Sequence, residues 1–259
     1  MLRKRLALLL LTGLVMFAFM GCIDIDIEGG KVKVDGVYLK NERIIHFTNS
    51  ESNSKFIADI YKGKVQLQAG SEIDLQVKIY EKTENDVSLF FKDGKLLGKT
   101  RSGDPYAIGS LTGTISQVEE IDIDSGAGNI TIENIENKSV LLDTGAGNVK
   151  LLKCSISNIN IDTGAGNIFL EDIISQNIKL DSGAGNIEIS GVRADDINCD
   201  SGVGNISAYS SSAKTVEFDT GIGNISTSDC DFKSKDFSTG LGNVHNLDSK
   251  SRKHEGVEL

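Results

Sequence analysis

Six aspartates, Asp124, Asp143, Asp162, Asp181, Asp200 and Asp219, recur at a spacing of 19 residues, and this column of carboxylates is the foremost candidate for chemistry in the chain. In a stack of coils its members would stand about 4.8 Å apart. At that distance like charges repel by about 1 kcal/mol in water and about 3–4 kcal/mol at an effective dielectric of 20. A divalent cation would offset the repulsion. Exposure to water would also weaken it, with the carboxylate oxygens accepting hydrogen bonds from nearby turn N–H groups. Counting from the apolar Leu142, Asp143 falls on an outer face, which favours the solvated reading and predicts a structural role without metal.

Other chemistry has less to start from. An acid–base enzyme needs titratable groups gathered with a cation or metal on one face. One outward column here is mixed, with Thr131, Lys150, Phe169, Glu188, Ser207, Ser226 and His245. Arg193 is the only arginine of the coils, and His46, His245 and His254 lie far apart with no evident partner. A catalytic thiol wants a basic neighbour, and Cys154, Cys199 and Cys230 have none in view. Cys154 and Cys230 share a column but stand four coils, about 19 Å, apart. Cys199 lies in another column, so all three read as buried fillers rather than disulfide partners. No catalytic residue, metal or cofactor is expected. Phe169, Tyr209 and Leu152 form an outward line that could begin a binding surface.

The element that must position the aspartates is a repeat. Asp-Ser-Gly-Ala-Gly-Asn at Asp124 returns at Asp143, Asp162, Asp181, Asp200, Asp219 and, opening with serine, Ser238, seven copies without insertion. Such regularity marks one turn of a stacked structure per copy. After each Asn stands Ile130, Val149, Ile168, Ile187, Ile206, Ile225 or Val244, and two places on Ile132, Leu151, Leu170 and Ile189. A second pair of columns holds Val140, Ile159, Ile178, Ile197 and Val216, then Leu142, Ile161, Leu180, Cys199, Phe218 and Phe237. Alternation of apolar and polar residues marks strands with one buried face. The predicted fold is therefore all-β, a parallel β-solenoid of seven 19-residue coils. The structural turn residues are Asp124, Gly126, Gly128 and Asn129; Asp143, Gly145, Gly147 and Asn148; Asp162, Gly164, Gly166 and Asn167; Asp181, Gly183, Gly185 and Asn186. The glycines are expected to take positive φ at a corner, the asparagines to stack their amides, and the column from Ala127 to Leu241 to point inward.

The N-terminus carries Arg3, Lys4 and Arg5, an apolar run from Leu6 to Phe19, and Gly21–Cys22. This is the layout of a secretory signal and resembles a bacterial lipoprotein signal, which implies lipidation at Cys22, although Phe19 and Met20 depart from the usual lipobox. A plain cleaved signal and an uncleaved anchor are the alternatives, the run being shorter than the ~20 residues a spanning helix needs. Loss of Arg3, Lys4 and Arg5 moves the formal net charge from −10 to −13. With a sequence pI near 4.9, nucleic acid is a poor partner.

Residues 22–110 are strand-rich without the exact period. Candidate strands are Lys31–Val34, Arg43–Phe47, Lys64–Leu67, Ile73–Ile79 and Val87–Phe91, with a hairpin turn at Lys92–Lys95. They are expected to form irregular early coils that cap the solenoid, since an uncapped stack leaves an aggregation edge; a separate small sandwich is the alternative. The resulting division is 1–21 signal peptide, 22–110 cap, 111–247 repeats and 248–259 polar tail.

The Asp-(Ser/Thr)-Gly-x-Gly-Asn-(Ile/Val) coils behind such a signal resemble a bacterial β-strand-repeat family labelled "putative adhesin", a domain of unknown function. The resemblance covers residues 46–247. The resemblance implies adhesion; the signal with Cys22 and a long repeat lacking catalytic residues point to a non-enzymatic envelope or surface protein, held to the cell or outer membrane by a lipid anchor and binding an envelope protein or glycan. Calcium-binding nonapeptide β-rolls also combine glycine with aspartate, but they place Asp after the Gly pair and use two Gly-rich turns per coil. A carbohydrate-active β-helix enzyme is the remaining alternative.

Overall fold

The computed structural model describes residues 32–50 and 53–247. Cys22, the signal segment, His254 and the tail 248–259 lie outside the described residues. The N-terminal strands are β1 (Val32–Val34), β2 (Val37–Leu39), β3 (Asn41–Asn49), β4 (Lys55–Ile60), β5 (Val65–Ala69), β6 (Ile73–Glu81), β7 (Val87–Lys92), β8 (Lys95–Thr100) and β9 (Tyr106–Ile115). The regular coils follow as strand pairs: β10 (Glu120–Ala127) with β11 (Ile130–Glu133), β12 (Glu136–Ala146) with β13 (Val149–Leu152), β14 (Ser155–Ala165) with β15 (Ile168–Glu171), and β16 (Ile174–Ala184) with β17 (Ile187–Ser190). The last three are β18 (Arg193–Val203) with β19 (Ile206–Tyr209), β20 (Ser212–Ile222) with β21 (Ile225–Ser228), and β22 (Asp231–Leu241) with β23 (Val244–Leu247).

The long strand of each pair joins a ten-stranded sheet ordered β22-β20-β18-β16-β14-β12-β10-β4-β8-β7, and the short strand an eleven-stranded sheet ordered β23-β21-β19-β17-β15-β13-β11-β5-β9-β6-β3. Neighbouring coils are parallel and in register at the sequence period, with Asp143 beside Asp162 and Val149 beside Ile168. The fold is thus a seven-coil parallel β-solenoid in its repeat region. Alternation explains it: Ile130, Ile132, Val140, Leu142 and their successors are buried between the sheets. Each contributes roughly 1.5–3 kcal/mol on burial, and no coil could bury them alone. A further inward column runs through Ile135, Cys154, Ile173, Val192, Ser211 and Cys230. The three described cysteines are free and buried.

An eighth coil precedes the repeat. Strand β4 lies parallel to β10, with Asp59 beside Asp124, and β5 lies parallel to β11, with Val65 beside Ile130. Strands β8 and β9 lie parallel to β4 and β5 on the far side of this coil, and beyond them the pairing turns antiparallel, β7 with β8, β6 with β9 and β3 with β6. The hairpin turns on Asp93 (φ 52°) and Gly94 (φ 80°), both positive as a type I′ turn requires. Phe47, Phe56 and Phe91 fill the space between the sheets at this end, with ring centroids 5.4 and 5.7 Å apart. Glu81, buried beneath the excursion, is held by Arg43 at 3.1 Å and by the N–H groups of Asn85, Asp86 and Val87.

The corner differs from the expectation in two respects. Gly126, Gly145, Gly164 and Gly183 do not have positive φ; Gly128 (φ 140°) and Gly147 (φ 148°) do, whereas Gly166 and Gly185 fall outside the left-handed region. The shared requirement is close approach. A Cβ on Gly164 would lie 2.7 Å from the carbonyl oxygen of Gly145, and one on Gly166 would overlap the carbonyl oxygen of Gly147. The left-handed residues common to successive coils sit at the opposite turn: Asn134, Lys153, Asp172, Gly191, Ser210 and Asp229. The second difference is the column from Ala127 to Leu241, which points outward, leaving Val203, Ile222 and Leu241 more than half exposed. The residue that turns inward is the Ser/Thr following each Asp, from Ser125 to Thr220, all buried.

Candidate binding face

The aspartate column lies on the outer surface of the ten-stranded sheet and gains Asp59 as its first member. Asp59-Ile60-Tyr61-Lys62-Gly63-Lys64-Val65 repeats the spacing of Asp124, Gly128 and Ile130 without the rest of the phrase. Lys95 Nζ meets Asp59 Oδ2 at 2.5 Å. The later carboxylates accept no hydrogen bond from the turn among the described residues, so the Asx-type role expected of them is not how they are held. Partial burial, followed by the neighbouring carboxylates, pushes Asp124, Asp162 and Asp200 above the ordinary range, with Lys95 opposing at Asp124 and Lys179 at the other two. Burial does the same to Asp143. Among the described residues no group of three or more His, Cys, Asp and Glu side chains could hold a metal ion.

The Asn column is a ladder, but its rungs end on backbone. Asn129 Oδ1 accepts the N–H of Asn148 at 2.9 Å, and the relation repeats from Asn148 to Asn167 and from Asn167 to Asn186. One amide–amide contact supplements it, from Asn167 Nδ2 to Asn148 Oδ1 at 3.1 Å. These bonds fix the corner from coil to coil and hold the Asp and Gly columns in line.

Beside the aspartates the same sheet forms a shallow depression of about 410 Å³ lined by Asn158, Asn160, Asn177, Lys179, Asn198 and Glu217 among others. Asn177 Nδ2 donates to Asn158 Oδ1 at 2.8 Å, and Asn198 Nδ2 to Glu217 Oε2 at 3.0 Å. These side chains are hydrogen-bonding groups at strand spacing. Phe169, Leu152 and Tyr209 do not form a line. Leu152 and Tyr209 share a column with Glu171 and Ser190 between them, and Phe169 belongs to another column. His46 does have a partner, Asp74 Oδ1 at 2.5 Å from its Nε2, on the exposed face of β3 and β6. His245 is exposed on β23.

The model of the Toastrack DUF4097 family matches residues 23–228. No curated protein matches the chain. Among solved structures, a "putative adhesin" from Bacteroides fragilis NCTC 9343 is similar with a TM-score of 0.56 and 21% identity, over 79% of this chain and 97% of that one. A "putative adhesin" from Parabacteroides merdae ATCC 43184 is similar with a TM-score of 0.51 and 14% identity, over 80% and 97%.

Proposed function

The chain belongs to the Toastrack DUF4097 family, and we propose that it is a non-enzymatic, lipid-anchored scaffold of the cell envelope whose solenoid presents a polar outer face for binding or adhesion. The observation that carries this reading is the division of labour in each coil. Inward columns form one continuous core, while the outer columns of the ten-stranded sheet carry hydrogen-bonding and acidic side chains at regular spacing. The adhesin designation of the two similar structures is consistent with it. Cys22, with Gly21 before it, supplies the anchor, and a lipidated cysteine bears the multiple chains that stable attachment needs.

Anchoring is tested by metabolic lipid labelling of the wild type and Cys22→Ala; label of equal strength in both would reject it. Binding is tested by presenting envelope proteins and glycans to the purified chain and to an Asn158→Ala/Asn177→Ala/Asn198→Ala variant. A ligand retained equally by both does not use this face. The coils are held without metal on this reading, so circular dichroism is expected to be unchanged by a chelator.

A further inference from the structure

We propose that the chain cuts itself between Asp104 and Pro105, the side-chain carboxylate of Asp104 attacking its own main-chain carbonyl in mild acid. Pro105 is the one proline of the sequence, so this is its one Asp–Pro bond. An aspartate carboxylate can close a succinic anhydride ring onto the carbonyl carbon of its own residue. A prolyl nitrogen, being that of a tertiary amide, departs as a neutral secondary amine once it is protonated. Any Asp–Pro bond shares this weakness, but the surroundings of this one add to it at each reacting group.

The electrophile is polarised. Thr100 Oγ1 donates to the Asp104 carbonyl oxygen at 2.9 Å, the atom on which negative charge gathers as the ring closes. The nucleophile is kept ionised. Lys82 Nζ donates to Asp104 Oδ1 at 2.8 Å, and the Ser102 hydroxyl lies between Asp86 Oδ2 at 2.5 Å and Asp104 Oδ2 at 3.1 Å. Lys82 first, and Ser102 after it, hold the Asp104 carboxyl below 3.8 against burial and the charge of Asp86. The backbone is pinned as well. Asp104 N–H donates to Ser102 Oγ at 3.1 Å, Gly103 holds φ 80°, and a residue before proline is confined to extended backbone. Restriction of this kind is what makes attack within one molecule effective. Water reaches the bond through a depression of about 430 Å³ lined by Asp35, Lys99, Thr100, Pro105 and Tyr106 among others. The Tyr106 hydroxyl accepts the Gly98 N–H at 2.7 Å, which leaves Asp35 and Lys99 as the charged side chains lining it beside Asp104.

The step balances with water and a proton alone. An Asp104 carboxylate oxygen bonds to the carbonyl carbon, the C–N bond to Pro105 breaks, and the nitrogen takes a proton from the water in the depression to become a new N-terminal amine. Water then opens the anhydride and leaves Asp104 with an α-carboxyl and a side-chain carboxyl. The two pieces stay together. Strand β9, which starts at Tyr106, is paired with both β5 and β6, and β4 and β5 remain beside β10 and β11. The cut therefore divides the segment that carries Cys22 from the one that carries the repeat coils, with sheet pairing as their remaining link.

The purified full chain, held in mildly acidic buffer with and without urea, tests this by mass spectrometry and N-terminal sequencing. The expected second piece begins Pro105-Tyr106, and the two pieces together outweigh the parent by one water. The folded chain should be cut roughly a hundredfold faster than the urea-unfolded one, an advantage that Thr100→Val removes and Thr100→Ser keeps. Asp104→Ala should not be cut at this bond in either state. The rate should rise as pH falls, because the departing nitrogen needs a proton, and level off only where the Asp104 carboxyl itself is protonated, at a lower pH in the folded chain than in the unfolded one. Circular dichroism checks that each variant folds. A folded chain that stays intact, or is cut no faster than the unfolded one, would overturn the proposal. So would cutting at this bond that persists in Asp104→Ala, or that is indifferent to Thr100→Val.

Discussion

Thr144 and Thr220 occupy one inward column four coils apart, yet Thr220 Oγ1 donates to the carbonyl of Gly204 at 2.7 Å while Thr144 Oγ1 is buried with no partner. The difference develops gradually. The equivalent bond is 3.2 Å from Thr163 to Gly147, 2.9 Å from Ser182 to Gly166 and 2.8 Å from Ser201 to Gly185. Over the same coils the glycine at the accepting position has φ 140° at Gly128, 148° at Gly147 and 159° at Gly204. Thr144→Val should therefore be neutral or stabilising, since it removes an unpaired buried hydroxyl. Thr220→Val should cost about 1 kcal/mol. Urea unfolding of the two variants checks the contrast, and equal losses would contradict it.

The asparagine ladder makes a second comparison. Asn167 Oδ1 accepts the N–H of Asn186, and its own N–H and Nδ2 donate to Asn148. Asn167→Ala keeps the backbone bond and loses the other two, so a loss of about 0.5–1.5 kcal/mol is expected. Amide exchange at Asn186 should accelerate while that at Asn148 should not.

Close approach at the corner sets a larger effect. Gly166→Ala drives a Cβ into the Gly147 carbonyl from a coil clamped on both sides, and should cost about 3 kcal/mol or more. Gly242→Ala meets the Gly223 carbonyl in the same way, but among the described residues its coil is the last and no further coil is stacked on it. Its effect should be confined to the final coil, seen as a smaller shift in melting temperature than for Gly166→Ala.

Lys153 holds φ 52° at the opposite turn, where the next coil has Asp172 at φ 55°. A lysine in this region bears a cost of roughly 1–2 kcal/mol that asparagine partly escapes. Lys153→Asn should raise stability by a few tenths to about 1 kcal/mol, with Lys150→Asn, in the adjoining strand, as the control.

Two sets of carboxyls respond to acid in opposite senses. Asp124, Asp143, Asp162 and Asp200 are raised above the ordinary value of 3.8, so the folded state binds their protons first and stability should rise as pH falls from neutrality through the raised values toward 3.8. Glu81 works the other way. Burial alone would raise it, but the Arg43 side chain and the N–H groups of Val87 and Asn85 hold it below 4.5, so its contribution is present above 4.5 and lost as pH falls through its folded value. Melting temperature should pass through a maximum in mild acid. The rise on its neutral side should shrink in Asp162→Asn, while the fall on its acid side should not.

The repeat was legible because one period carries both signals of a solenoid coil: alternation gave the inner face, and the recurrence of glycine gave the turn. Apolar character misled at the corner. It placed Ala127 inward, but the alternation that buries Ile123 also buries Ser125, and it ends before Ala127. Polarity hid it, since a serine or threonine column does not look like core until its bonds to glycine carbonyls are seen. Early coils were expected before the repeat, but the sequence did not show which residues form one, because only Asp59, Gly63 and Val65 keep the phrase and the 19-residue period breaks after them. The partner of His46 lies 28 residues away across an antiparallel pair, a distance at which the repeat offers no guide.

Within the repeat every coil joins its neighbour through residues 19 positions apart, as Asp143 joins Asp162, whereas Asp59 joins Asp124 across 65 positions. Short closures cost less entropy and form sooner. Assembly should therefore run as a zipper through the repeats, with the coil of β4 and β5 docking late, after the intervening strands have ordered. Chain order and folding order thus part company at the first coil. That coil comes early off the ribosome but waits for some fifty residues behind it before it has a surface on which to settle.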